Sequence, residues 1–191
     1  MSIPIDSRRG QTLVEALVAL SILTVGFVGI VGLLVKSFQL NRTTTNDTQA
    51  TYLSAEGIEI AKNIIDYDVY YGVWSGSADW GCSFGLAPGG KADYELEYNT
   101  VASGCLALGS VSAAKAQSDH LYFKPFNAAD PLSGFYSYNN FLPAAKTNFT
   151  RDVRITAVSA NEFDVQSIVT WTSGAQSNTI TLEDHFYNWH P

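Results

Sequence analysis

One nearly unbroken apolar stretch, Thr12 to Val35, constrains this chain more than any other feature. Its roughly 24 residues, at about 1.5 Å of rise each, make about 36 Å of helix, enough to cross a bilayer core of about 30 Å. Arg8 and Arg9 precede it and Lys36 follows it. Arginines before such a run favour a cytoplasmic N-terminus. Within the run lies a single charge, Glu15. A lone acid in hydrocarbon costs about 3 kcal/mol on insertion scales, so a functional partner is expected for it.

The position of Glu15 suggests that partner. If the chain is cut after Gly10, Gln11 becomes the N-terminus and Glu15 stands four residues on, on the same helical face as the new α-amine. A carboxylate in the first turn also faces the positive end of the helix dipole. The amine can come from the same chain or from a neighbour. In a bundle of such helices, the amine of an arriving chain and the Glu15 of a seated one would attract each other at low dielectric and set the axial register.

The segment Arg9-Gly10-Gln11-Thr12-Leu13-Val14-Glu15-Ala16-Leu17-Val18-Ala19-Leu20 resembles the class III signal sequence of type IV pilins and pseudopilins. The resemblance implies that residues 1–10 are a leader, that a prepilin peptidase cuts after Gly10 and N-methylates Gln11, and that Glu15 guides assembly. Gln11 stands where the family usually has Phe. The match continues through Val18-Ala19-Leu20-Ser21-Ile22-Leu23, Gly26 and Gly29, then Tyr52-Leu53-Ser54-Ala55-Glu56-Gly57-Ile58-Glu59, which is similar to minor pilins of the pilus-modification kind. The implied partners are other pilin subunits through their N-terminal helices, the peptidase, and an inner-membrane assembly platform. The implied place is the cytoplasmic membrane as a single-pass chain, then a surface pilus or a pseudopilus.

Two other export signals compete for the same residues. Ser7-Arg8-Arg9 suggests a twin-arginine signal, but Val35-Lys36-Ser37-Phe38 is a poor cleavage site after the apolar run. An ordinary signal anchor explains the length of the run but neither Gly10 nor Glu15.

No proline occurs between Pro4 and Pro88, so a helix can run unbroken from Gln11 to about Asp66. Residues 11–35 would be its membrane and assembly half and residues 36–66 its amphipathic half. Three consecutive threonines, Thr43 to Thr45, are poor helix formers and favour fraying or a bend there. Beyond them Ala50, Leu53, Gly57, Ile60, Ala61, Ile64 and Ile65 recur at three- and four-residue steps, one stripe for packing on a sheet. Gly26, Gly29 and Gly32 are spaced by three. They serve either close helix packing or local unwinding when a subunit leaves the bilayer, since glycine lowers helix stability by about 1 kcal/mol against alanine.

Residues 67–191 read as a globular head. Its first part, 67–92, is rich in aromatics and glycine (Tyr67, Tyr70, Tyr71, Trp74, Trp80, Phe84) and reads as a long irregular loop. Its rings either fill a satellite core or serve an interface. The rest, 93–191, alternates as strands. Tyr94, Leu96 and Tyr98 share one face, and His120–Lys124 and Gly134–Tyr138 are shorter candidates. A meander follows over Thr150–Ser159, Phe163–Thr172 and Asn178–Tyr187, with turns at Asn161-Glu162 and at Ser173 to Gln176. The expected inward residues are Val153, Ile155 and Ala157, then Phe163, Val165, Ser167, Val169 and Trp171, then Ile180, Leu182, Asp184 and Phe186. A spine helix followed by an antiparallel sheet is an α+β architecture.

Composition narrows the function. The net charge is −7 and charged residues are only 15% of the chain. An acidic chain without a Lys/Arg cluster argues against nucleic-acid binding by bulk electrostatics. The two cysteines, Cys82 and Cys105, read as a disulfide in an exported chain, or else as two buried thiols. No catalytic constellation, phosphate loop or nucleotide fingerprint is recognisable, and no cofactor is implied. His120, His185 and His190 lack metal-pair spacing and an obvious companion thiolate or acid cluster, so no metal site is expected. Asp66, Asp68 and Asp79 offer oxygens for calcium but read better as surface acids on a solvated loop. Three functions remain: a minor type IV pilin, a pseudopilin of a type II secretion system, or a membrane-tethered binding domain or enzyme.

Overall fold

The computed structural model describes residues 8–75, 80–98, 100, 120–127, 130, 133–138, 145–174 and 176–189, with helix side chains described from Thr12 to Tyr70. The chain divides into two compact units, Met1–Thr45 and Asn46–Pro191. One helix, α1 (Arg8–Ser75), contributes to both.

In the first unit α1 is apolar and its large side chains are exposed throughout, from Leu13 to Leu40. It is long and apolar enough to cross a membrane. Its few hydroxyls satisfy themselves: Ser21 Oγ donates to the Val18 carbonyl at 2.7 Å and Thr24 Oγ1 to that of Ser21 at 2.9 Å. Such back-bonding spares a polar group the cost of lying unpaired in hydrocarbon. The helix is continuous through Gly26, Gly29 and Gly32. Thr43 and Thr45 do not break it either; their hydroxyls donate to the carbonyls of Gln39 and Asn41, four residues back.

The second unit packs the rest of α1 on an antiparallel sheet. Ala50, Leu53, Gly57, Ala61, Ile64 and Ile65 are buried as the periodicity predicts, and Ile60 is half-buried. The helix ends later than expected, at Ser75 rather than near Asp66. Residues 67–75, read from sequence as loop, are helical. Asp68 explains the extension: it falls on the buried face one turn past Ile64 and Ile65, and its carboxylate accepts the Ser83 N–H at 2.9 Å and the Ser83 hydroxyl at 2.6 Å.

The six strands are β1 (Lys91–Tyr94), β2 (His120–Phe123), β3 (Tyr136–Ser137), β4 (Ala145–Ser159), β5 (Glu162–Ser173) and β6 (Gln176–Tyr187). The order is β3-β2-β4-β5-β6, with β1 also paired to β4. β2 takes the N-terminal part of β4 and β1 takes residues 153–156. β4 starts five residues before the predicted Thr150, and Glu162 belongs to β5 rather than to the turn. The expected inward residues of β4 and β5 are all buried. On β6, Ile180, Leu182 and Phe186 are half-buried and Asp184 is exposed, because β6 is an edge strand whose face is only partly covered.

The core has two apolar clusters. One gathers Ile64, Ile65, Phe84, Tyr94, Leu96, Ile155, Phe163 and Val165, and the other Leu53, Leu121, Phe149, Val169 and Trp171. Part of the aromatic segment fills the core, as one of its two readings expects. Trp80 packs at a tilt against Phe163 with centroids 4.8 Å apart and Phe84 meets Tyr94 at 5.2 Å, whereas Tyr67 and Tyr70 are exposed.

The residue least expected in this core is Arg151, which is 0% exposed. Its guanidinium donates to the carbonyls of Leu53 (3.0 Å) and Leu96 (2.6 Å) and to the Tyr138 hydroxyl (3.3 Å), and lies 3.2 Å from Glu56. The Tyr138 hydroxyl donates in turn to the Arg151 carbonyl at 2.7 Å. Burial pushes the Tyr138 phenol up to about 12, with Arg151 opposing the shift. Helix, sheet and the segments after β1 and β3 thus converge on one cation. Beside it, Ser54 Oγ donates to the Ser167 carbonyl at 2.7 Å. A Cβ on Gly57 would overlap Ser167 Oγ, so glycine is what lets α1 approach β5 here.

Candidate functional site

The residues singled out at the N-terminus lie on one helical stretch. The backbone of Gly10 and Gln11 is helical and continuous with Glu15, so the proposed cleavage point lies inside α1. Helical geometry puts Gln11 and Glu15 one turn apart on one face. Glu15 is exposed, and among the described residues it has no hydrogen bond or ion pair. Gly26, Gly29 and Gly32 have open space where a Cβ would project.

Of the acids in the head, Asp66 is an exposed surface acid, as read from the sequence, whereas Asp68 is buried. Asp66 pairs at 3.9 Å with Lys62, and Asp68 is a buried tether for the short 3-10 turn Cys82–Phe84. Burial raises the Asp68 carboxyl above its ordinary range, against the lowering effect of the two Ser83 hydrogen bonds. Asp79, Cys105 and His190 lie outside the described residues; Cys82 is buried on the 3-10 turn.

His185 requires a correction: it does have an acid cluster. On the outer face of the β5–β6 pair, His185 stands opposite Asp164, and Glu183 opposite Gln166. His185 Nδ1 lies 3.1 Å from Glu162 Oε1, and Nε2 lies 3.4 Å from Glu183 Oε1. The Gln166 amide donates to Asp164 Oδ2 at 3.4 Å and to Glu183 Oε2 at 3.2 Å. Partial burial lowers the His185 pKa, but its acidic neighbours outweigh this and the net shift is upward. The Asp164 carboxyl is also raised, first by burial and then by Glu183. About 20 residues of sequence separate the two halves of this cluster, and only strand register unites them. The alternation of β5 and β6 was the signal that could have found it.

Comparison with known proteins gives one match, at the N-terminus. Residues 5–31 match the prokaryotic N-terminal methylation motif. The chain carries the signal of the type IV pilin class. The matched segment contains Gly10, Gln11, Glu15, Gly26 and Gly29, and it supports a protein of the type IV pilin or pseudopilin family. It implies processing by a prepilin peptidase and assembly into pili. With the apolar half of α1, it fits a single-pass, membrane-anchored chain. Neither the curated proteins nor the solved structures give a match.

Proposed function

We propose that this pilin-class chain is a minor subunit of a type IV pilus, a structural protein rather than an enzyme. The methylation motif over residues 5–31 carries the reading, and Gly10 and Glu15 both lie within it. The leader is cytoplasmic before processing. After the cut, Glu15 faces the α-amine of Gln11 of its own chain or of a neighbour, and this pairing draws the subunit from the membrane into register with others. The partners are other pilins through the apolar halves of their helices, the peptidase and the inner-membrane assembly platform. The head is displayed outside the cytoplasm to support pilus biogenesis, adhesion, motility or DNA uptake. Cys82 pairs with Cys105 there, closing a loop that stabilises the head by about 3 kcal/mol in the chain-entropy model.

Intact mass and N-terminal peptide mapping, with and without a prepilin peptidase, test this. A chain beginning at Gln11 only when the peptidase is present supports the reading, and an added methyl group locates the modification. Retention of residues 1–10 sinks it. Glu15→Ala is expected to leave insertion and cleavage intact while reducing incorporation into filaments; normal incorporation would rule out the pairing. Recovery of the chain from sheared surface pili, rather than only from a periplasmic secretion complex, separates the pilus from a pseudopilus.

A further inference from the structure

We propose that Asp164, Glu183 and His185 form a binding site for one divalent transition-metal ion of the zinc type on the outer face of β5 and β6. One ligand atom from each lies within 4.8 Å of the others. A cation about 2.1 Å from each donor would hold them roughly 3–4 Å apart, which small side-chain rotations achieve.

The surroundings favour a metal over a loose acidic patch. Glu162 sits at His185 Nδ1, 3.1 Å away, which leaves Nε2 toward Glu183. A carboxylate on one ring nitrogen with the other turned to the ion is how metal-binding histidines are commonly oriented. Gln166 engages one oxygen of Asp164 and one of Glu183, fixing both carboxylates. Asp164 is half-buried, and its second oxygen, Oδ1, is shielded from solvent and has no hydrogen-bond partner among the described residues. A buried acceptor left unpaired is costly, and a cation would satisfy it. Imidazole with carboxylates suits zinc and its first-row neighbours, whereas calcium and magnesium prefer all-oxygen sites. Three protein ligands leave at least one position for water or for a donor from outside the chain.

The test uses the untagged mature chain in detergent micelles, titrated with Zn2+ against a chromophoric chelator. The expected result is one Zn2+ per chain, with affinity reduced at least tenfold in each of His185→Gln, Glu183→Gln and Asp164→Asn. Glu162→Gln, which only orients the ring, should weaken binding and be partly restored by Glu162→Asp. Circular dichroism melts check that the variants fold. Co2+ should give a visible absorption band that Zn2+ abolishes. Stoichiometric binding that survives His185→Gln would overturn the site. So would equal competition by Ca2+ or Mg2+, which marks a diffuse acidic surface, or failure of the folded wild-type chain to bind Zn2+.

Discussion

From Leu13 to Leu40 the large apolar side chains of α1 are exposed, whereas from Ala50 to Asp68 the helix buries only one face. Both stretches are regular helix. The first is apolar on all sides, as a segment solvated by lipid must be. The second is a stripe, the pattern of a helix resting on a sheet. Each stretch also carries an acid. Glu56 has its counter-charge built into the head, since Arg151 lies 3.2 Å away. Glu15 has no ion pair among the described residues, which fits a partner supplied on assembly. The contrast separates residues that hold the head together from those that are free to act in the proposed assembly.

The largest expected effect comes from breaking the built-in pair. Arg151→Ala would strand the carbonyls of Leu53 and Leu96, leave Glu56 without its cation and open a cavity. The expected loss is about 3–5 kcal/mol, read as a lower urea midpoint of tryptophan fluorescence in micelles. Arg151→Met fills most of the volume and removes the buried charge, so it should lose less. Glu15→Ala should not move the midpoint at all. Equal losses at Glu15 and Arg151 would erase the distinction between the two halves of α1.

The glycines sharpen the same comparison at smaller size. Gly57→Ala places a methyl against Ser167 and Val153 and should cost about 1–3 kcal/mol as overpacking. Gly29→Ala meets nothing within 4 Å and should leave the head's stability unchanged while adding up to about 1 kcal/mol of local helix preference. If unwinding at Gly26, Gly29 and Gly32 is needed for assembly, the triple alanine variant would be processed normally yet assemble poorly. A filament map with unbroken helix through these positions would remove that role.

Much of this was legible because it depends on local periodicity. The apolar run, the stripe from Ala50 to Ile65, and the alternation in β4 and β5 each fixed an element and its inward face. The reading of Gly10 and Glu15 likewise rests on spacing along one helix, and the helix itself is continuous through both. What was missed depends on pairing across the chain. Arg151 shares the inward parity of Val153 and Ile155, yet nothing local says that Leu53, Leu96 and Tyr138 will surround it. Asp68 looked like a surface acid because Ser83, its partner, lies 15 residues on. The His185 cluster required the β5–β6 register.

Asp68 gives the smallest and most diagnostic prediction. Burial raises its carboxyl above the ordinary value of 3.8, while the two Ser83 hydrogen bonds pull it back. The folded chain therefore holds the Asp68 proton more tightly than the unfolded chain does. Its contribution to stability is fully present below about 3.8 and is lost as pH rises through the folded value. Asp68→Asn cannot ionise, and its amide oxygen can still accept from Ser83. The other carboxylates are common to both chains, so the difference in melting temperature isolates this group. The wild-type chain should lose ground to Asp68→Asn as pH rises from 3 and then run parallel to it. A gap moving the other way would mean that the Ser83 hydrogen bonds outweigh burial. In that case the end of α1 is held by an ionised tether, a second buried charge in the head beside that of Arg151.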